Sequence, residues 1–581
     1  MIDQLTETYA DLIEGSYDCP DRLVLNAYFG LGHSPGGFRN WWRRLFGHDD
    51  DLDKPHLIRF AGRFSRRLKT YTTAHNIPFI QCRSGTRKHL IAQQHLPQDP
   101  EFCGLFLVLV SRASGLVWDV SHTADGRIRN LSKQYRFINH YFFHIMDSVW
   151  GHVTVRMSSH PPFGAQVILN GHEYVARQAQ RVGIQFSKDG NCFTSIIGVA
   201  DGGHAAVTSR PADAIGPMLT GEDSHLTQFA ETLCSQDTVG QLRQVCDRWL
   251  YASCLHFALP EDERCQSGFR YEYALYQVEY SRNLLFQRAQ QMEQVFDNLI
   301  DRSRTLLDIK RIKTIFGLKK RPSRRKSNSG RQPREEIVIE RPAYNLTIFK
   351  LHFGPLTVKL YSKGERVLRS EVIVHNAKAL GWKRGLPAFP VIIQRLQKML
   401  YRFLNQLHGL DQCFVADDTM DTLGQSGQVG QTRTTGIDLN KPRLRAVMEA
   451  VISLAVVPNG FTVSQLANKV RDILGLAADQ YQPRHASYDL KKLRGKQWVE
   501  KMGKSRCYQV SPTGLKTMAA LFTLREKIIK PVLAGVGKPK PGPKPNEPAL
   551  SLPKGQSELD IQYGKVHTEM RTLCHILGVA V

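Results

Sequence analysis

The sequence predicts an α+β multidomain protein, with a mixed sheet-plus-helix N-terminal half, a β-meander with helices in the middle, and a C-terminal module of helices closed by a hairpin. Three observations predict it. The chain has 581 residues, and a single hydrophobic core stops growing near about 250–300 residues, so roughly three or four domains are expected. The apolar pattern switches between helical and alternating periods several times. Stretches rich in Pro, Ser, Gly and basic residues, at 319–343 and 531–556, interrupt the folded pattern.

Residues 1–100 read mainly as helices forming a basic N-terminal region. Leu57, Phe60, Phe64, Leu68 and Tyr71 share one face at helical spacing, and Arg59, Arg63, Arg66, Arg67 and Lys69 occupy the rest. That basic face is either solvated or a contact for nucleic acid. Residues 101–240 change period and read as an α+β domain. GLFLVLVSR, INHYFFHIM, GHVTVRM and AQVILN are strand-like runs bounded by Gly, Pro or Asn, and a helix begins after Asn170-Gly171. Residues 241–318 read as helical, because YALYQVEYSRNLLFQRAQQMEQVFDNLIDRSRTLL holds no Pro or Gly to break it. Residues 319–343 form a basic linker, disordered alone. Its first part, KKRPSRRKSNSGRQPR, carries eight Lys/Arg and no acid.

Residues 344–423 combine a β-meander with a helix. YNLTIFKLHF, LTVKLYSK and RVLRSEVIVHN are joined at Gly354-Pro355 and Lys363-Gly364, both turn chemistry. Phe389, Ile393, Leu396, Leu400, Phe403 and Leu407 then mark an amphipathic helix. Residues 424–436 read as a Gly/Gln/Thr linker, 531–556 as a stiff Pro/Lys linker, and 557–581 as a terminal helix. No internal repeat is expected.

Residues 441–530 form the best-defined module. RLRAVMEAVISLA is a first helix. FTVSQLANKVRDILG is a second, capped by Thr462 or Ser464, with Leu466, Val470 and Ile473 on its apolar face. In the third, RHASYDLKKLRGKQWV, Ala486, Leu490 and Leu493 face inward. That leaves Arg484, His485, Ser487, Tyr488, Lys491, Lys492 and Arg494 outside. WVEKM, GKSR and CYQVSPTG read as strand, basic turn and strand, and LKTMAALFTLREKII as a closing helix. This order resembles winged-helix DNA-binding domains of the MarR-like sort, and SYDLKKLRGKQWVEKMGKSRCYQVSPTG carries most of the resemblance. It implies that the helix from Arg484 enters the major groove, while Lys504 and Arg506 touch backbone or minor groove. Some winged helices bind protein instead.

Composition agrees with a polyanionic partner. The chain has 78 Lys+Arg against 53 Asp+Glu, a formal charge of +25, and a field of that sign attracts nucleic acid. Lys319, Lys320, Arg321, Arg324, Arg325 and Lys326 are expected to track phosphates. DNA stands ahead of RNA as partner. Trp41-Trp42-Arg43-Arg44, Tyr135-Arg136-Phe137 and Trp382-Lys383-Arg384 place aromatics beside cations, either to stack bases or as core rings beside surface charge. No stretch approaches the roughly 20 apolar residues of a membrane span. The N-terminus lacks a signal peptide's apolar core, and the eleven cysteines form no CxxC pair. A cytoplasmic protein without membrane association is expected. No Walker loop, GxGxxG after a strand, HExxH or GxSxG is present.

Two further resemblances bear on function. GLFLVLVSR, HPPFGAQVILNGHEYVARQA, DGNCFTSI and LTVKLYSKGERVLRSEVIVHN, over 55–200 and 345–440, are similar to a widespread bacterial protein family of uncharacterised function. VKLYSKGERVLRSEVIV looks like replication-initiation proteins of filamentous phages and small plasmids. That resemblance implies DNA nicking, with Tyr361 as nucleophile and Glu371 as ligand to Mg²⁺ or Mn²⁺. The His-hydrophobic-His pair of many such enzymes is missing, since His140 and His144 are spaced too widely. The other reading of Tyr361 and Glu371 is a cross-strand ladder of polar pairs.

Asp417, Asp418 and Asp421, with Asp438 as an addition, form an acidic cluster suited either to Mg²⁺ or to caps and solvated loops. His160, Asn170, His172 and Glu173 make HPPFGAQVILNGHEY chemically dense. The sequence thus supports a nucleic-acid-binding protein of bacterial type, with a mobile-element, replication or regulatory role. Its rivals are a metal-dependent nuclease or nicking enzyme, and a ligand-sensing transcription regulator with a closed apolar pocket within 101–200. No cofactor is certain.

Overall fold

Alternating burial along the first thirty residues places a long strand where helices were expected. In a computed structural model, Ile13–Phe29 forms β1, with Ile13, Gly15, Tyr17 and Cys19 buried and Glu14, Ser16 and Asp18 between them half-buried. The structure describes residues 3–83, 85–181, 184–197, 237–306, 312–314, 336–343, 346–411, 419–525 and 558–576. They divide into two units, one of residues 1–297 and 310–401 and the other of residues 298–309 and 402–581. The secondary structure is mixed α+β.

The first unit is built on one twelve-stranded sheet. Its strands are β1, β2 (Phe79–Gln81), β3 (Gly104–His122), β4 (Ile128–Asp147), β5 (Gly151–Ser158), β6 (Ala165–Asn170), β9 (Tyr271–Phe286), β10 (Ile312–Thr314), β11 (Glu336–Ala343), β12 (Leu346–Phe353), β13 (Leu356–Lys363) and β14 (Val367–Val374). A separate hairpin holds β7 (Gln185–Lys188) and β8 (Phe193–Ile197). Strands from four of the expected domains, 1–100, 101–240, 241–318 and 344–423, therefore join a single sheet, and the end of the expected linker 319–343 supplies one more, β11. The long helix expected across 273–307 is a strand followed by a shorter helix, Ala289–Leu306. The lack of Pro and Gly removes breakers but does not choose a helix. Tyr, Val and Leu at alternating positions, paired on both sides, favour the strand.

The sheet order is β10-β11-β12-β13-β14-β9-β1-β6-β5-β4-β3-β2, and it is the same topology written twice. Each half begins with a long strand, β1 or β9, followed by helix. A short strand then pairs in parallel with the next one, β2 with β3 and β10 with β11. Antiparallel strands follow until the last lies beside the first, β6 beside β1 and β14 beside β9. A helix closes each half, Gly171–Arg181 or Phe389–Asp411. The halves meet where β1 and β9 pair antiparallel. The expectation of no internal repeat is thus corrected at the level of topology.

Helix Lys54–Ala74 buries Leu57, Phe60, Phe64 and Leu68 as its spacing predicts. Tyr71 differs: it is exposed and stacks on His75 at 4.1 Å. Arg63 leaves the solvated face as well, donating to Glu263 at 2.6 and 2.8 Å and to the Ala258 carbonyl. Phe29, Trp41, Phe60, Phe163 and Phe269 form an aromatic cluster at centroid separations of 4.4–6.5 Å. Burying each such ring stabilises the fold by about 1.5–3 kcal/mol.

Two arginine networks cross the central strands on opposite faces. Arg282 of β9 lies 2.7 Å from Asp3 and 2.8 Å from Asp18, and Tyr401 donates to Asp18 at 2.6 Å. On the other face Arg369 of β14 pairs with Asp21, which sits in the irregularity of β1 between Pro20 and Leu23. Arg369 also donates to the Asn191 carbonyl at 2.6 Å, and His172 Nδ1 lies 2.7 Å from Asp21 Oδ1. The side chains of Arg369 and His172 are 0% exposed and that of Asp21 is 1% exposed. Arg369 and His172 hold Asp21 down to about 2 against the burial that opposes them, whereas burial keeps His172 neutral by lowering it.

Residues 402–525 carry the second set of elements. The expected linker 424–436 contains a hairpin, β15 (Gly427–Val429) with β16 (Thr432–Thr434). Helices Pro442–Leu454, Val463–Leu474 and Pro483–Gly495 follow. A three-stranded sheet comes next, ordered β17 (Phe461–Thr462), β19 (Cys507–Val510), β18 (Val499–Lys501), and then helix Pro512–Thr523. Among the described residues no helix is long and apolar enough to cross a membrane. The basic linker residues Lys319, Lys320, Arg321, Arg324, Arg325 and Lys326 lie outside the described residues.

Replacing Arg369 by Met strands Asp21 as a buried carboxylate with no counter-ion. The expected cost is about 3–5 kcal/mol, read as a lowered urea midpoint. The double variant Arg369→Met/Asp21→Asn recovers part of that loss in a double-mutant cycle. A second expectation concerns acid. Burial keeps His140 neutral down to about 4 and His144 down to about 3, against an ordinary 6.5. Between 6.5 and those values the unfolded chain binds more protons than the folded one, so stability falls as pH falls through that window. Asp21 adds a further loss from 3.8 towards 2. Denaturation midpoints measured from pH 7 to pH 4 should decline, and His140→Gln should flatten the decline.

Candidate nucleic-acid interface

The orientation of helix Pro483–Gly495 follows from its inward face. Ala486, Leu490 and Leu493 are buried as their spacing predicts. Asp489 is buried with them, a residue the sequence reading does not single out. It accepts from Arg443 Nε at 2.8 Å and from the Tyr481 hydroxyl at 2.9 Å. These bonds tie the helix to the first helix of the module. The preceding helix is capped by Thr462, not Ser464: the Thr462 hydroxyl accepts from the Gln465 amide at 3.3 Å and the Gln465 side chain accepts from the Thr462 amide at 2.7 Å. Leu466 and Val470 are buried, while Ile473 is half-buried.

With the acid turned in, cations are turned out. Arg484, Tyr488 and Lys491 are exposed at helical spacing, and Ser487, Lys492 and Arg494 are half-buried along the same side. Lys492 lies 5.0 Å over the Tyr488 ring and Arg494 5.7 Å over Tyr508. His485 has a different task, because its Nδ1 accepts from the Gln482 amide at 3.1 Å and caps the helix. Beyond β18 the chain turns through Gly503 at φ +53°, a left-handed position suited to glycine. Lys504 and Arg506 are exposed at the tip. Among the described residues none of Arg484, Lys491, Lys492, Arg494, Lys504 and Arg506 forms a salt bridge, whereas Arg443 and Lys441 nearby do.

Tyr361 and Glu371, expected to do chemistry, meet across neighbouring strands. Tyr361 donates to Glu371 at 2.8 Å, and Lys359 lies 3.2 Å from the other carboxylate oxygen. Lys359 faces Glu371 and Tyr361 faces Arg369 across β13 and β14, which is a cross-strand ladder of polar and charged pairs. Burial pushes the Tyr361 hydroxyl well above its ordinary range. Burial beside Glu371 also raises the Glu279 carboxyl to about 7. Among the described residues no cluster of three or more His, Cys, Asp or Glu is placed to hold a metal ion. Asp417 and Asp418 lie outside the described residues, Asp421 is exposed, and Asp438 accepts from the Asn440 amide at 2.9 Å in a loop.

The HPPFGAQVILNGHEY segment is absorbed by structure. His172 belongs to the Asp21 network, Glu173 pairs with Lys188, Asn170 accepts from the His172 amide at 2.8 Å, and the His160 amide donates to Ser158 at 3.2 Å. Trp41 and Trp42 are core residues at 1% and 0% exposure. Arg395 covers Trp382 at 5.1 Å. In the third of these aromatic-and-basic runs Tyr135 and Phe137 are exposed, at 76% and 72%. His140 and His144 share a sheet face, and His144 Nδ1 sits 3.0 Å from His152 Nε2.

The described part of the 101–240 segment contributes to an open, polar cavity. Asn26, His33, His140, Arg156, Gln166, Lys378 and Arg384 are among its lining residues. Asp21, Arg369, Asp489 and Arg156 escaped the sequence reading. A lone charge inside an apolar alternation, as in VLRSEVIV, was the available signal. No protein-family model, no curated protein and no solved structure matches the chain.

Proposed function

We propose that the chain is a nucleic-acid-binding protein of bacterial type, in which residues 441–525 act as a winged helix on duplex DNA. One observation carries the reading: helix Pro483–Gly495 turns its acid, Asp489, inward to Arg443 and leaves Arg484 and Lys491 exposed without acidic partners. A helix of about 10–12 Å diameter suits the major groove of B-DNA. Arg484 and Lys491 then reach base edges or phosphates, and Lys504 and Arg506 reach the flanking backbone. The formal charge of +25 supports encounter with a polyanion. A mobile-element, replication or regulatory role and a cytoplasmic location go with this reading.

Fluorescence anisotropy with labelled duplex tests it. Binding should weaken steeply with salt, because each neutralised phosphate contributes about 0.9 to the log–log slope. Lys491→Ala/Lys492→Ala/Arg494→Ala should cut affinity severalfold and reduce the slope, with only a small change in thermal midpoint, because among the described residues none of the three forms a salt bridge. Equal affinity of variant and wild type would reject the interface. Preference for single-stranded RNA over duplex would reassign the partner.

A second expectation separates reading from anchoring. Arg484→Ala should relax discrimination between duplex sequences by about 1–3 kcal/mol if it contacts a base edge, whereas Lys504→Ala should weaken all duplexes alike. Competition assays with a panel of duplexes report the difference.

A further inference from the structure

The first unit treats its buried arginines in two ways. Arg282 and Arg369 are each paired with carboxylates, Asp3 and Asp18 for the one and Asp21 for the other. Arg156 of β5 is not. It is half-buried in the sheet face, and burial draws its guanidinium below the ordinary range. Its polar contact is Gln166 Oε1 at 3.4 Å. Gln166 is itself oriented by donating to Asn26 at 2.9 Å, along the cross-strand row Arg156, Gln166, Asn26.

This row lines a cavity of about 600 Å³, within the range of ordinary small-ligand sites. Lys378 and Arg384, from the segment after β14, line it too. Among the described residues none of Arg156, Lys378 and Arg384 forms a salt bridge. One acid, Glu272, acts near the rim, where it bonds to Tyr28. His140 and His33 also border the cavity and are lowered by burial, so at neutral pH they carry no charge. Three unpaired cations against one rim acid leave the cavity positive. A half-buried guanidinium lacking a counter-ion is costly, and a planar fork of donors matches a phosphate oxygen pair.

We propose that this cavity binds a phosphomonoester of nucleotide size, its phosphate held by Arg156 and flanked by Lys378 and Arg384. The proposal stands apart from the C-terminal interface. A phosphomonoester has two sources, a free nucleotide or the 5′-phosphate of a nucleic-acid strand.

Isothermal titration of the full chain separates them, using adenosine 5′-monophosphate, adenosine, and a short oligodeoxynucleotide with and without a 5′-phosphate. The phosphorylated form of at least one pair should bind and its unphosphorylated counterpart should not. Arg156→Gln and the rim variant Lys378→Ala/Arg384→Ala should each weaken that binding about tenfold or more, the scale of a lost charged hydrogen bond. If Arg156→Gln does not fold, the rim variant decides. Arg484→Ala/Lys491→Ala should leave this binding unchanged even where it abolishes duplex binding. Binding by the mononucleotide identifies a free ligand, and binding by the phosphorylated strand alone identifies a strand end. Absence of binding by every phosphate, equal binding with and without the phosphate, or indifference to the rim variant overturns the proposal.

Discussion

The antiparallel seam between β1 and β9 is the constraint on which the first unit depends. It runs from Ile13 opposite Phe286 to Phe29 opposite Tyr271, joining segments about 250 residues apart in the chain. Closing so long a loop costs entropy, and no local pairing offsets it. The seam does so by placing two topologically equivalent half-sheets edge to edge, so that each half removes the exposed edge of the other. The Asp21–Arg369 pair reaches across β9 from β1 to β14, and the cavity lining draws on both β1, through Asn26, and β9, through Ala274.

Positive charge follows a simple division. Where a guanidinium lies wholly inside, a carboxylate meets it, as Asp21 meets Arg369 and Asp18 meets Arg282. Desolvation leaves no other stable arrangement, since an unpaired interior charge costs several kcal/mol. Arg443 draws on the same device to set the third helix of the C-terminal module, and the consequence is geometric: with Asp489 turned in, Arg484 and Lys491 face out. Arg156 belongs to neither group, being half-buried and facing a cavity.

How much was legible depended on the range of the interaction. The C-terminal helices were legible because Leu466, Val470, Ala486, Leu490 and Leu493 repeat at helical spacing and Thr462 offers a cap, all within a few residues of one another. The meander at β12–β14 was legible from its turn residues. β9 was not, because its strand state comes from neighbours on both sides, β1 and β14, that are distant in sequence. Tyr361 and Glu371 were rightly brought together by their spacing, but spacing alone left the ladder and the nicking site as alternatives.

Local pattern by itself determined the α+β class, the helix–helix–helix–hairpin order of 442–510 and its outward cations, because short-range periodicity and capping act within single elements. Tertiary structure alone decided the single twelve-stranded sheet, the doubled topology, the pairing of Asp21 with Arg369 and of Asp489 with Arg443, and the exposure of Arg156 to a cavity. Those outcomes rest on which distant strands and helices meet. Strand pairing and the compensation of buried charge are properties of that meeting, not of any one segment.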